Sequence, residues 1–416
     1  KVGLFDEPKV KTNEWFWLEC HKPQITNNLK IKFFKKKDGK IRDSIPWNAK
    51  KINDDTLLYY GFVRSKKADL MGGKWLTEPS SNPYEFEFDL REDKKVDKEL
   101  KKSAMMSYLL FENGKITVDK KSPEDRFGIL LNEDAKLFSS SVGKTIVSYV
   151  LGNAVCEGYI DGVNSKIDDW PLIKNTLYDG QKIIDVINMS AGDQEYINVN
   201  ERVKKTGKTA GNYTIKYLME DVFKNSTKKK QKWNYSGLPA PLINNYIWFK
   251  SNGDYQKILD KTFKEKAKIK HSVQFRTKKY EKNYEDRIAT YEDGILDSHF
   301  WATRYDYLRI AKAMLDDWQN DTCVGKYLKT VFNNRVNKNY QGNVDNNSNW
   351  FNPKQYAGFF HTGYTGMKDR AVMGMDGNGG QSIMIDFDRG RIIVIKSIHN
   401  NYNWKKIGHS VIKKGK

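Results

Sequence analysis

The chain has 416 residues, with 72 lysines and arginines against 52 acidic residues, a formal charge of +20, 38% hydrophobic and 13% aromatic residues. That much apolar material specifies a folded globular protein with a sizeable core and room for more than one structural unit, and it excludes a disordered chain. No apolar run approaches the ~18 residues that cross a bilayer, so no transmembrane segment is expected.

The positive excess sits partly in runs such as Lys228-Lys229-Lys230. It favours either an anionic partner (nucleic acid, acidic envelope polymer or membrane surface) or a plainly solvated surface. No recognition motif accompanies it, so no nucleic-acid partner is predicted. Three cysteines, Cys20, Cys156 and Cys323, are far apart and show no CxxC pair. Their odd number excludes a disulfide framework, and neither metal nor redox chemistry is expected. Cys156 lies in an apolar helical pattern and reads as a small core residue. The chain starts at Lys1 without a leader, which reads as a trimmed front that hides any export signal. A periplasmic or secreted location is favoured.

Residues 1–100 read as a β-rich extension. Strand-like runs are KIKFF (30–34), TLLYYGFV (56–63) and YEFEFDL (84–90), with turns at Asp38-Gly39, Gly72-Gly73 and residues 79–83. The charged run REDKKVDKELKK (91–102) suits a linker or an exposed helix. A hairpin follows at 108–120, turning at Glu112-Asn113-Gly114. After it, Val147, Val150, Leu151, Ala154 and Val155 carry the helical period, with Gly158 as a stop. Residues 160–330 read as mostly helical, including 215–225 and 305–318, with another helical run at 325–334. Residues 382–388 and 391–398 form a closing hairpin around Arg389-Gly390, and a short helical piece begins at Trp404.

The stretch LFSSSVGKTIVSYV (137–150) admits two chemistries. Gly143-Lys144-Thr145 resembles the end of a phosphate-binding loop, but Phe138 stands where that loop needs its first glycine. A second Gly-Lys-Thr at 207–209 fails the same test, with Arg202 in that place. The alternative is a nucleophile. With Ser141 at the start of the following helix, Lys144 lies one turn on and on the same face. A serine is a weak nucleophile until a base holds its proton, and the helix start favours the developing negative charge.

The order of the pieces from about 104 to 400 resembles the serine β-lactamase and penicillin-binding-protein superfamily. The likeness is to its class-C-like side, which includes carboxylesterases and 6-aminohexanoate-dimer hydrolases. Phe138-x-x-Ser141-Val142-x-Lys144 has the family's nucleophile form. EGYID (157–161), IIDVINMSAGD (183–193) and HFWATRYDYLRIAKAML (299–315) resemble its successive helix signatures. MGMDGNGGQSIMIDFDRGRIIVI (373–395) looks like its inner strand and closing hairpin. The second motif is similar to WNYSGLPAPLI (233–243), which implies Tyr235 as proton carrier beside Lys144, with Ser236 in the cleft. The family's usual asparagine is Gly237 here, which sets antibiotic hydrolysis below other acyl transfers. Two segments compete for the third motif. His361-Thr362-Gly363 has one of its forms. Gly377-Asn378-Gly379-Gly380-Gln381 has another and runs directly into the hairpin, which is preferred and leaves His361 flanking the cleft. Gly377 would let the strand backbone approach closely.

The resemblance implies an α/β (α+β) fold: an antiparallel sheet flanked by helices, a helical subdomain at about 160–330 within a 104–416 hydrolase domain, and the β-rich extension before it. It implies an amide- or ester-cleaving serine hydrolase working through an acyl-enzyme on Ser141. Lys144 and Tyr235 would manage the proton, and the amides of Ser141 and Asn378 would form the oxyanion hole. Gly377, Gly379, Gln381, Ser236 and His361 are expected at the cleft, and aromatic residues in 348–360 at its edge. His21, His271, His299, His399 and His409 are scattered without ligand spacing. No metal or cofactor is expected, and the partner is a small or short-oligomer substrate. A DD-peptidase or β-lactamase, or a non-catalytic binding protein of the same fold, are the alternatives.

Overall fold

The computed structural model describes the strand backbones of residues 49–53, 56–59 and 63–64. It describes residues 75–124, 127–128, 131–193, 214–277, 294–338, 353–397 and 402–414 in full. The expected strand at 30–34, the turns at 38–39 and 72–73, the 207–209 tripeptide, Cys20, His21, His399 and residues 348–352 of the aromatic loop lie outside the described residues.

In chain order the strands are β1 (Ala49–Asn53), β2 (Thr56–Tyr59), β3 (Val63–Arg64), β4 (Glu87–Phe88), β5 (Met105–Glu112), β6 (Lys115–Lys121), β7 (Lys136–Phe138), β8 (Lys166–Ile167) and β9 (Gln181–Lys182). The second half holds β10 (Gln274–Thr277), β11 (Leu296–Ala302), β12 (Val336–Asn337), β13 (Gln355–Ala357), β14 (Phe360–Thr362), β15 (Val372–Gly377), β16 (Gln381–Asp386) and β17 (Arg391–Ser397). The large sheet runs β12-β13-β14-β15-β16-β17-β5-β6-β4, so the two ends of the chain meet where β17 pairs with β5. Every pairing in it is antiparallel except β4 with β6. A smaller sheet, β10-β11-β7-β3, carries the strand that leads to Ser141.

Strand alternation explains the layers. On β17, Ile392 and Val394 enter one apolar cluster while Ile393 and Ile395 enter another on the opposite face. The first cluster packs against α2 (Gly143–Cys156) and the helices Pro239–Lys250 and Arg304–Gln319. The second packs under α1 (Lys94–Lys102) and the terminal helical turns from Lys405. The run read as a linker or exposed helix is thus α1, capped by Asp93 and burying Val96 and Leu100. The β5–β6 hairpin turns at Asn113 and Gly114, whose φ values of 54° and 79° suit a tight left-handed turn. Residues 75–102 pack on this same body: Thr77 pairs with Val273, and Phe86 joins the large core.

One expectation is corrected. Cys156 is not a lone core thiol: it forms a disulfide with Cys323, 167 residues away in sequence. The bond ties the end of α2 to the first residue of the helix Cys323–Asn333. These helices lie so close that a Cβ on Gly152 would stand 2.6 Å from the Tyr327 ring. Linear distance between the cysteines concealed that neighbourhood.

Candidate active site

The turn that carries Ser141 is built where β7 meets α2. Ser139 bonds β11 twice: its amide donates to the Phe300 carbonyl at 2.8 Å, and its Oγ accepts from the Phe300 amide at 2.7 Å. Ser140 then takes a left-handed φ of 48°, uncommon and costly for a residue with a side chain. That bend starts the short 3-10 turn Ser140–Val142, which runs straight into α2. Glycine at 143 is required by close approach, since a Cβ there would sit 1.9 Å from the Ser298 carbonyl oxygen. In the resulting geometry Lys144 Nζ donates to Ser141 Oγ at 2.7 Å. Lys144 is buried and Ser141 half-buried, so the amine points at the hydroxyl rather than at a phosphate cradle.

Tyr235 arrives from far along the chain. Its ring centroid is 5.2 Å from Lys144 Nζ, and the amide of the preceding Asn234 is held by the Met189 carbonyl at 2.8 Å. Ser236 Oγ accepts from the Leu238 amide at 3.4 Å, so this hydroxyl supports the start of the helix Pro239–Lys250.

His361 does more than flank the cleft. It lies on β14, beside the inner strand β15, and its ring stacks on Tyr235 at 6.1 Å with the planes 20° apart. Its Nδ1 is 2.6 Å from Lys338 Nζ. Burial first, then the charges of Lys338 and Lys144, push the imidazole well below its ordinary value. β15 and β16 meet directly at Gly377 and Gln381, so the preferred segment does form the inner hairpin. A Cβ on Gly377 would come within 2.7 Å of the Ser139 carbonyl and 3.0 Å of Ser140 Cβ, which places this glycine against the turn that leads to Ser141. Asn378 is exposed at the tip, and its Oδ1 accepts from the Gly379 amide at 2.9 Å. Gln381 is buried, and its amide group donates to the Ser397 carbonyl, tying the tip to the end of β17. Gln381 and Ser236 therefore each brace the backbone of their own segment.

Three features escaped the sequence reading. Lys338 is one. The second is Lys396, a fully buried amine whose Nζ donates to the Phe138 carbonyl at 3.0 Å over the Tyr307 ring. Burial pushes this ammonium well below its ordinary value. The third lies on β11, where Asp297 Oδ2 accepts from Arg276 Nε at 2.8 Å and stands 2.9 Å from His299 Nδ1. The His299 ring stacks on Phe138, three residues before Ser141. Burial lowers the pKa of His299, with Asp297 opposing that shift and Lys144 close enough to add to it. The alternation Asp297-Ser298-His299 on a strand was the available signal. Among the described residues no group of three or more His, Cys, Asp or Glu side chains is placed to hold a metal ion. No helix among them is long and apolar enough to cross a membrane.

No known family profile and no curated protein sequence matches the chain. Solved structures do. A Bacillus anthracis protein provisionally assigned as a 6-aminohexanoate-dimer hydrolase superposes with a TM-score of 0.56 at 12% identity, over 81% of this chain and 89% of that one. FmtA from Staphylococcus aureus gives 0.50 at 15% identity, over 85% and 96%. A penicillin-binding-protein homologue from Pyrococcus abyssi, octameric in its own structure, gives 0.52 at 12%, over 74% and 72%. At such identities the likeness concerns architecture, and on that level it is consistent: the chain has the mixed α/β fold of the β-lactamase and penicillin-binding-protein serine hydrolases.

Proposed function

We propose that this protein is a serine hydrolase that cleaves an amide or ester bond through an acyl-enzyme on Ser141. The observation that carries the reading is the 2.7 Å contact between Lys144 Nζ and Ser141 Oγ, with the Tyr235 ring 5.2 Å from the same nitrogen. An amine that accepts the serine proton as Oγ attacks a carbonyl makes the hydroxyl a competent nucleophile. Tyr235 relays that proton to the leaving amine or alcohol as the carbon–leaving-group bond breaks. Water then adds to the acyl carbon, gives its proton back along the same route and releases the acid. The amides of Ser141 and Asn378 would hold the oxyanion, each such donor typically supplying about 3 kcal/mol in the transition state.

The substrate would be a small molecule or short oligomer; the 6-aminohexanoate dimer named for the Bacillus protein belongs in the first panel. No cofactor is needed for this chemistry. The disulfide between Cys156 and Cys323 supports an oxidising, extracytoplasmic location.

A fluorophosphonate probe should label the wild type at Ser141 and leave Ser141→Ala unlabelled. An intact fold that takes no label would favour a binding protein, whose formal charge of +20 suits an anionic polymer. Stable acylation by a labelled penicillin, without turnover of p-nitrophenyl esters or 6-aminohexanoate oligomers, would move the assignment to a DD-peptidase or β-lactamase.

A further inference from the structure

We propose that Lys338 is a positioning residue of the cleft: through Nδ1 it holds the His361 ring in the tautomer that carries its hydrogen on Nε2, so that an N–H donor stands beside Tyr235. The pair is built from two segments. Lys338 directly follows β12, where its amide donates to the Lys354 carbonyl at 2.9 Å. His361 lies on β14, two strands away. Both side chains are buried, Lys338 at 6% and His361 at 2% exposure. Lys338 Nζ lies 5.1 Å from the Trp233 ring centroid and 5.9 Å from that of Tyr356, and we take it in the ammonium form that such ring faces attract.

An ammonium has three donors and no acceptor, so the atom 2.6 Å away, His361 Nδ1, must offer its lone pair. The ring itself stays neutral, since burial and the adjacent Lys338 oppose a further charge. A neutral imidazole with a lone pair on Nδ1 carries its one hydrogen on Nε2, on the opposite side of the ring. That ring is stacked on Tyr235, which Lys144 also approaches. The Nε2–H donor is therefore suited to an acceptor oxygen of a substrate bound against Tyr235. This last step rests on the hydrolase reading; the tautomer does not.

The test is nitrogen–proton correlation spectroscopy of the full chain with labelled histidine, His361 being assigned by its loss in His361→Gln. The wild type should show His361 as the Nε2–H tautomer, and Lys338→Met should shift it to a mixture while Lys338→Arg, which keeps donors, restores it. A wild-type spectrum with hydrogen on Nδ1 would overturn the proposal without any variant, since Lys338 would then be a neutral acceptor. So would a Lys338→Met spectrum identical to the wild type. With a hydrolysed ester, Lys338→Met should lower kcat/KM about tenfold, as for one substrate hydrogen bond, with recovery in Lys338→Arg. An unchanged kcat/KM alongside the Nε2–H tautomer would remove the substrate contact and keep the positioning. Absence of any hydrolysis by the wild type would count against the hydrolase reading alone.

Discussion

The two walls of the candidate site are made in opposite ways. On the Ser141 side, four positions within one run of five residues form the turn: a bent Ser140, the hydroxyl of Ser141, the space left by Gly143 and the amine of Lys144. Helical geometry alone brings residues three apart onto one face, so this wall is specified locally. On the Tyr235 side nothing is local. Tyr235, His361 and Lys338 come from segments separated by about a hundred residues or more in one case and by 23 in the other, and only packing aligns them. A local wall tolerates changes in distant strands; an assembled wall depends on the whole sheet.

Substitutions can break that contrast. The largest effect is expected at the local wall: Lys144→Met should lower kcat/KM by roughly 10^4-fold, because the proton acceptor is removed from the attacking hydroxyl. Its fold should persist, since the methionine fills similar space. If Lys144→Met kept most of the ester hydrolysis, the base would have to be sought on the assembled wall instead. Tyr235→Phe should cost about 10^2-fold, less than the lysine, because it removes a proton relay while leaving the stacked ring against His361. A loss for Tyr235→Phe exceeding that for Lys144→Met would reverse the order of the two walls.

Their legibility in the sequence follows the same division. The Ser141–Lys144 spacing, the α2 helix and both hairpins could be read because each is encoded over a few residues with a fixed period. Tyr235 could be proposed from its flanking motif, and the preference for Gly377–Gln381 as the segment entering the closing hairpin matches β15 and β16. Lys338 was invisible. In an asparagine- and lysine-rich stretch nothing marks one lysine as buried, and its burial depends on Trp233, Tyr356 and His361 from three other places. The cysteine pair failed for the same reason: counting three thiols says nothing about which helices lie side by side.

The disulfide sharpens the comparison from outside the cleft. It closes a loop of 167 residues that includes Tyr235 but not Ser141 or His361. Replacing Cys156 and Cys323 by serine should lower unfolding stability by roughly 2–5 kcal/mol, measured by urea denaturation. Activity at 25 °C should change little, because the helix that carries Lys144 is anchored at its other end by Gly143 against Ser298. A large drop in kcat at unchanged fold would show that the assembled wall needs this tether to keep Tyr235 in place.

The smallest effect concerns His361 and has a definite sign. Its imidazole is held well below the ordinary value by burial and by the charges of Lys338 and Lys144, whereas in the unfolded chain it titrates near 6.5. As pH falls below 6.5 the unfolded state binds a proton that the folded state refuses, so stability drops until the folded-state value is reached. The slope from one such group is about 1.4 kcal/mol per pH unit. Urea midpoints compared at pH 7.5 and in the acid range should therefore fall more steeply for the wild type than for His361→Gln. His299 and His409, whose values are also lowered, remain in both proteins and cancel in the difference. Equal slopes would mean that His361 accepts a proton in the folded state as readily as in water, which is incompatible with a buried ring whose Nδ1 stands 2.6 Å from Lys338 Nζ.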